Sequence, residues 1–468
     1  MDGAAFEQVA EHFAAFHARF APLFGRTETR EHSGQYLRGL LVQQGQRRNA
    51  ENIAEALEGV TVRELQRFLT EAPWPTGPVI DQLQAGVAAQ LNHPDGVFVM
   101  DESGFPKQGR HSVGVARQYC GALGKTANCQ MGVFLAYVSD HGHALIDAQL
   151  WLPEAWTADT ARRQRTGVPE AITYQSKAAI ALALRRRARA AGHLTGRWVT
   201  GDEDYGKAPW LRDALHADGD WYVFEVPSTT PVFTQPVQTA VPVGTGRGRP
   251  PTRERLVPGE PEPVAEAEGA AGVAPGWWQP LTVDDGAQGP RQYQFVGLHV
   301  WESRDGLPGR VSWLVLRRNL DGSELKFYLS NAPAATPLAI LGRVGARRWP
   351  IETELQTGKS QLGLAEYEVR SWRGWHHHIT LCLLANLFLL ELQQAWGENH
   401  AGADPAPGRA GVGRPATPAP VDPKRPLALA RPDPSAQRRR QALPRPTPAA
   451  PPPPATDVGP SFLLYPSL

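Results

Sequence analysis

Large apolar residues at positions 6, 9, 13, 16 and 20 (Phe6, Val9, Phe13, Phe16, Phe20) recur at three- and four-residue spacing, which predicts an amphipathic helix at the start of the chain. Further helical patterns follow up to residue 95. One begins at Thr61-Val-Arg-Glu64, where a threonine and a glutamate three residues apart form a capping-box pattern. Short helices with basic residues between them fit either a helix-turn-helix unit or a plain helical bundle. From residue 96 the period shortens to that of strands, predicted over 97–101, 131–139 and 144–152 and joined by glycine-containing turns. A helix over 176–191, a strand over 197–201, a helix over 209–217 and a strand over 221–226 complete the series.

Three strands, then helix, strand, helix and strand, is the order of an RNase H-like α/β catalytic core: a mixed five-stranded sheet with flanking helices. Frequent proline and glycine interrupt the pattern after 228, and strand-like runs resume at 311–317 and 325–330. The expected organisation is an N-terminal helical domain (1–95), a first part of the core (96–227), a β-rich insertion (228–332), C-terminal core helices (333–396) and a Pro-rich tail (397–468). The tail holds 18 of the chain's 43 prolines and few large apolar groups, a composition expected to stay disordered.

With 468 residues the chain can bury a large core. Its net charge is only +1, and the tail alone carries nine Lys/Arg against five Asp/Glu, so any nucleic-acid partner must be met by local basic patches. Three cysteines without a C-x-x-C pair suit a reducing cytoplasm, and the first residues lack the basic-then-apolar pattern of a signal peptide. The most apolar stretch, 379–392, is shorter than the roughly 20 residues that span a bilayer and contains Asn386; it reads as a buried core helix, with no membrane partner.

Three acidic residues carry the candidate chemistry. Asp101 and Asp202 each close a hydrophobic run, a placement expected to present a carboxylate at the rim of a sheet. Glu352 lies in Arg348-Trp-Pro-Ile-Glu352-Thr-Glu-Leu-Gln-Thr-Gly-Lys359, which reads as a helix start. At about 100° per residue, Arg348, Glu352 and Lys359 share one narrow stripe, while Glu354 points about 160° away. Convergent carboxylates of this kind hold Mg²⁺, or Mn²⁺ in its place, as a pair of metal ions for in-line attack on a phosphodiester. Each aspartate can equally cap a turn, and the stripe can equally be a solvent-facing ion-pair ladder.

The spacing Arg348-x3-Glu352-x6-Lys359 resembles the signature of DDE-type insertion-sequence transposases with a Tyr-Arg-Glu-Lys motif. The blocks Asp101-Glu-Ser-Gly-Phe-Pro-Lys-Gln-Gly, Ser112-Val-Gly-Val-Ala-Arg-Gln-Tyr-Cys-Gly, Gly201-Asp-Glu-Asp-Tyr-Gly and Glu368-Val-Arg-Ser-Trp-Arg-Gly-Trp-His resemble insertion-sequence family 701, over about residues 30 to 395. This resemblance implies Asp101, Asp202 and Glu352 as catalytic, metal-holding triad and Arg348 and Lys359 as phosphate contacts. The signature's tyrosine position holds Gly345 here.

Arg247-Gly-Arg249-Pro matches the core of a minor-groove AT-hook or an ordinary basic loop. Lys107, just after the first aspartate, is a further candidate for the DNA backbone. His376-His-His378 is a poor metal site, because adjacent residues on a helix point apart. The expected function is a DNA transposase that nicks element ends and transfers the 3′-hydroxyls to target DNA. Its partners would be double-stranded DNA with terminal inverted repeats and target DNA, bound by at least a dimer in the bacterial cytoplasm at the nucleoid. A metal-dependent nuclease without strand transfer and a catalytically silent DNA-binding regulator are the alternatives.

Overall fold

The computed structural model describes residues 3–42, 46–243, 251–286 and 289–401. Most of the Pro-rich tail, and Arg247 and Arg249, lie outside the described residues. Five helices lead: α1 (Gly3–Phe20), α2 (Thr27–Val42), α3 (Ala50–Ala56), α4 (Val62–Thr70) and α5 (Thr76–Leu91). The capping box read at Thr61 forms: the Thr61 hydroxyl accepts from the Glu64 N–H, and the Glu64 carboxylate accepts from the Thr61 N–H.

Strands β1 (Val97–Pro106), β2 (Ala116–Cys120), β3 (Lys125–Ser139) and β4 (Gly142–Trp151) follow. Helices α6 (Glu154–Ala158), α7 (Thr160–Thr166) and α8 (Lys177–Ala191) lead to β5 (Trp198–Gly201). Then come α9 (Glu203–Gly206), α10 (Pro209–Ala217) and β6 (Trp221–Val226). Within one large mixed sheet these strands lie in the order β4-β3-β1-β5-β6, with β1, β5 and β6 mutually parallel and β3 antiparallel to β1.

The region after 228 is built of β7 (Pro231–Phe233), β8 (Thr239–Ala240), β9 (Arg255–Leu256), β10 (Val264–Ala265), α11 (Glu266–Ala271), β11 (Gln279–Gly286), β12 (Gly289–Arg304), β13 (Leu307–Arg318) and β14 (Lys326–Ser330). It extends the same sheet, because β14 pairs antiparallel with β6 and β13, and β13 with β12. The 16-residue β12 went unread in the sequence, although Asp305-Gly306 signals its hairpin with β13: both residues take positive φ, as a two-residue hairpin turn of this kind requires.

Helices α12 (Leu338–Ala346), α13 (Trp349–Gln361) and α14 (Trp372–Ala401) close the described fold. Helix α14 is twice as long as its apolar stretch suggested; Trp372–Trp396 is long and apolar enough to cross a bilayer by length and composition. In this fold it is a core helix, packed against β4, α5, α2 and α4. Its three consecutive histidines point apart, as expected, and each ties it to a different element. His376 Nε2 accepts from the Leu150 N–H of β4 at 3.5 Å, His377 stacks on Trp74, and His378 sits between the Tyr36 hydroxyl and the Gly363 carbonyl. Burial holds all three well below the usual imidazole range, at about 4, about 4 and about 3, so they act as neutral hydrogen-bonding groups.

In the Arg185-Arg-Arg-Ala-Arg run on α8, Arg186 and Arg187 are exposed and Arg185 is buried, and all four arginines are ion-paired. Arg185 is buried against Asp220, Arg187 pairs with the fully buried Asp147, Arg186 with Asp218, and Arg189 with Asp220. Arg185, Arg187 and Arg189 neutralise the buried Asp147 and Asp220, because an unpaired buried carboxylate is far more costly than a paired one, while Arg186–Asp218 is a surface pair.

Candidate functional site

The two aspartates meet where β1 and β5 run side by side. Met100 pairs with Gly201 in parallel register, and Asp101 and Asp202 are the next residues on each chain. Two close approaches permit this arrangement. At Gly196, ahead of β5, φ is +111° and a Cβ would lie 2.3 Å from the Gly96 carbonyl oxygen, so glycine lets the two strands start together. At Gly206 a Cβ would come within 1.8 Å of the Glu225 carbonyl oxygen, so glycine lets α9 settle onto β6 directly after Asp202.

Asp101 is not at a strand end, as the sequence suggested. β1 continues to Pro106 because its pairing with β3 continues to Pro106–Cys129. The residue lies at a rim only on the β5 side, where the parallel partner stops. Asp202 does end its strand, and it also caps α9: its Oδ1 accepts from the Asp204 N–H at 3.0 Å. The capping reading of Asp202 therefore holds.

Asp101 is buried, and burial followed by the charge of Asp202 pushes its pKa up to about 8; the Glu102 N–H and Arg348 oppose this. Asp202 is pushed up to about 6 by burial, then by Glu102 and Asp204, with Arg348 again opposing. Glu102 was not singled out in the sequence. Its carboxylate accepts from Lys177 on α8 and from the Tyr205 hydroxyl on α9, so it fixes both helices next to the two aspartates. An acidic pair closing a hydrophobic run was the available signal.

Arg348 caps α13, which starts at Trp349-Pro350, proline being well suited to the first helical turn. Its Nη1 donates to Glu352 Oε1 at 2.5 Å. Burial opposes the charge of Arg348, but Glu352, Asp101 and Asp202 together raise its pKa, so one guanidinium is within electrostatic reach of all three acids. Lys359 lies two turns beyond Glu352 on the same stripe of α13, 5.6 Å from the Phe105 ring centroid; burial lowers its pKa, while Cys120 and Asp101 act in the opposite sense. The rival acid Glu354 is buried, between His143 Nδ1 and the Asn386 amide, each at 2.6 Å.

The structure thus brings Asp101 and Asp202 together with Arg348 in electrostatic reach of both, while Glu352 is held by Arg348. Among the described residues no three His, Cys, Asp or Glu side chains stand as a ready metal-binding set. The donor chemistry of the aspartate pair nevertheless fits a hard divalent cation: two adjacent carboxylates, one buried and resisting ionisation, gain from a shared positive charge. Lys107 is placed differently from expectation. Its ammonium lies 3.5 Å from the Tyr367 ring centroid and donates to the Tyr367 carbonyl at 3.0 Å, and burial lowers its pKa to about 8. Gly345 on α12 faces Val223 and Tyr328, with room for a Cβ at ordinary contact distances.

The family model described as "DDE superfamily endonuclease" matches residues 19–290, more than half of the chain. The protein belongs to the DDE superfamily of endonucleases, enzymes that act on nucleic acid and typically use divalent metal ions. The match covers Asp101, Asp202 and Glu102 and ends before Glu352. No curated protein matches the chain.

Proposed function

We propose that the protein is a DNA transposase resembling insertion-sequence family 701, which nicks at the element's ends and joins the freed 3′-hydroxyls to target DNA. The observation that carries this reading is the register of β1 and β5, which sets Asp101 beside Asp202, with Arg348 in electrostatic reach of both. The strand order β4-β3-β1-β5-β6, with parallel β1, β5 and β6, supports an RNase H-like core.

Asp101, Asp202 and Glu352 would hold Mg²⁺ or Mn²⁺, which when bound activates the attacking oxygen and stabilises the leaving one. In the first step a water oxygen would bond to phosphorus and the 3′-oxygen would leave as a hydroxyl. In the second the oxygen of that 3′-hydroxyl would bond to a target phosphorus while the P–O bond to the target's own 3′-oxygen breaks, that oxygen leaving as a hydroxyl that takes up a proton as the attacking hydroxyl gives its own to solvent. Arg348 would orient the scissile phosphate through its guanidinium face, and Lys359 would contact a neighbouring phosphate. Glu102 would act as a positioning residue, holding α8 and α9 against the aspartates.

The helical region before residue 95 would recognise the terminal inverted repeats, assisted by the strands inserted after 228. Pairing of two ends would require at least a dimer, working at the nucleoid in the cytoplasm. Incubation of the purified protein with Mg²⁺ and a plasmid bearing the element ends tests this. End-specific nicks followed by joined products are expected. Nicks never followed by joining would leave a nuclease, and end binding without cutting would leave a regulator.

A further inference from the structure

A cleft of about 500 Å³ opens between α2 and α4, the loop after β1, helices α6 and α7, and the segment 367–371. Four arginines line it: Arg110, Arg162, Arg165 and Arg370, with His111 beside them. Glu368 is the one carboxylate among the lining residues. Arg110, Arg165 and Arg370 are exposed. Among the described residues none of the four forms an ion pair, in contrast to the fully paired run on α8.

The cleft is built rather than incidental. Arg162 lies 3.8 Å over the buried Trp156 ring and donates to the Arg110 carbonyl at 3.1 Å. Trp156 is itself fixed by its indole N–H on the Val115 carbonyl at 2.7 Å. Across the opening, the Val113 N–H donates to the Arg370 carbonyl at 2.9 Å, which ties the loop after β1 to the segment carrying Arg370. Concentrating four unpaired guanidinium groups in a concavity is unfavourable unless an anion offsets their repulsion. Guanidinium groups match phosphate geometry better than any other side chain. The aromatic residues of the cleft, Tyr36, Trp156 and Tyr367, are buried and present no open face for a base, so the chemistry favours backbone over base.

We propose that this cleft is a second DNA site, apart from the aspartates, holding the sugar–phosphate backbone without regard to sequence. This rests on the reading of the protein as a DNA-cutting enzyme.

The test is the salt dependence of binding of the full chain to a labelled duplex carrying the element end, and to an unrelated duplex, with Arg186→Ala, at an exposed arginine of α8 already paired with Asp218, as a control. The double variant Arg110→Ala/Arg165→Ala removes two exposed side chains without partners; circular dichroism checks its fold. The expected result is about tenfold weaker binding to both duplexes, with the slope of log K against log salt reduced by about 2, while Arg186→Ala binds as wild type. Unchanged affinity and slope in the double variant, with the wild type binding normally, would overturn the cleft and leave the enzyme reading intact. Failure of the wild type to bind either duplex would overturn both. If millimolar ATP raised the melting temperature of the wild type but not of the double variant, with DNA binding unaltered, the cleft would be a nucleotide site and this inference would be wrong.

Discussion

Asp101 and Asp202 stand one residue beyond the Met100–Gly201 pair on the parallel strands β1 and β5, so the backbone register alone makes them neighbours. Burial then raises both carboxylates above their ordinary range, to about 8 with Asp202 reinforcing at Asp101, and to about 6 with Glu102 and Asp204 reinforcing at Asp202. A divalent cation that binds the folded state relieves this and stabilises the protein by mass action. Added Mg²⁺ is therefore expected to raise the melting temperature of the wild type near pH 8, and EDTA to reverse the rise. Neither effect should appear in Asp101→Asn/Asp202→Asn, measured by scanning calorimetry.

Glu352 is the third acid only if its link to Arg348 serves the same site. Loss of a metal-holding carboxylate should cost at least about 1000-fold in nicking rate, equivalent to about 4 kcal/mol of barrier. Glu352→Gln is expected to show that loss while keeping the fold and DNA affinity of the wild type. Single-turnover nicking at wild-type rate in this variant would remove Glu352 from the triad.

A titration far from the site should be visible in stability. Glu266 is fully buried in the β-rich region, and neither carboxylate oxygen has a hydrogen-bond partner among the described residues. Burial pushes its pKa up to about 9, with Arg212 opposing and Glu302 reinforcing. Because the folded value lies above the unfolded one, near 4.5, this contribution to stability is fully present below about pH 4.5 and is lost as pH rises through about 9. Glu266→Gln should match the wild type near pH 4.5 and melt at least about 3 °C higher near pH 8. Equal melting temperatures at both pH values would show that the side chain is hydrated.

The arginine run on α8 gives the opposite kind of prediction. Arg185 and Asp220 are both nearly inaccessible and 2.8 Å apart. Arg185→Ala is expected to destabilise the protein by about 3 kcal/mol or more, the usual cost of breaking a buried pair. Denaturant unfolding measures this, and the salt slope of DNA binding should stay unchanged.

Local signals carried far in this chain. The capping box at Thr61, the limits of β6 and the Arg348–Glu352 stripe were readable because each depends on residues within one turn or one strand. Long-range pairing was not readable. β3 keeps β1 extended five residues past Asp101, and Asp147, Asp218 and Asp220, far from α8 in sequence, take up its arginines. The same limit applies at the site. Asp101 and Asp202 could be named from hydrophobic runs that end in an acid, but Glu102 became significant only once Lys177 and Tyr205 were seen to meet it. Lys107 read as a cation beside the first aspartate, and only the fold turns it onto Tyr367.

The most direct measurement compares wild type with Asp202→Ala on a supercoiled plasmid carrying the element ends, in Mg²⁺, scoring nicked and joined products at nucleotide resolution. The expected result is end-specific nicking and joining by the wild type, and at least about 1000-fold less of both by a folded, DNA-binding Asp202→Ala. Undiminished Mg²⁺-dependent nicking and joining by Asp202→Ala would contradict the placement of the chemistry at Asp101 and Asp202.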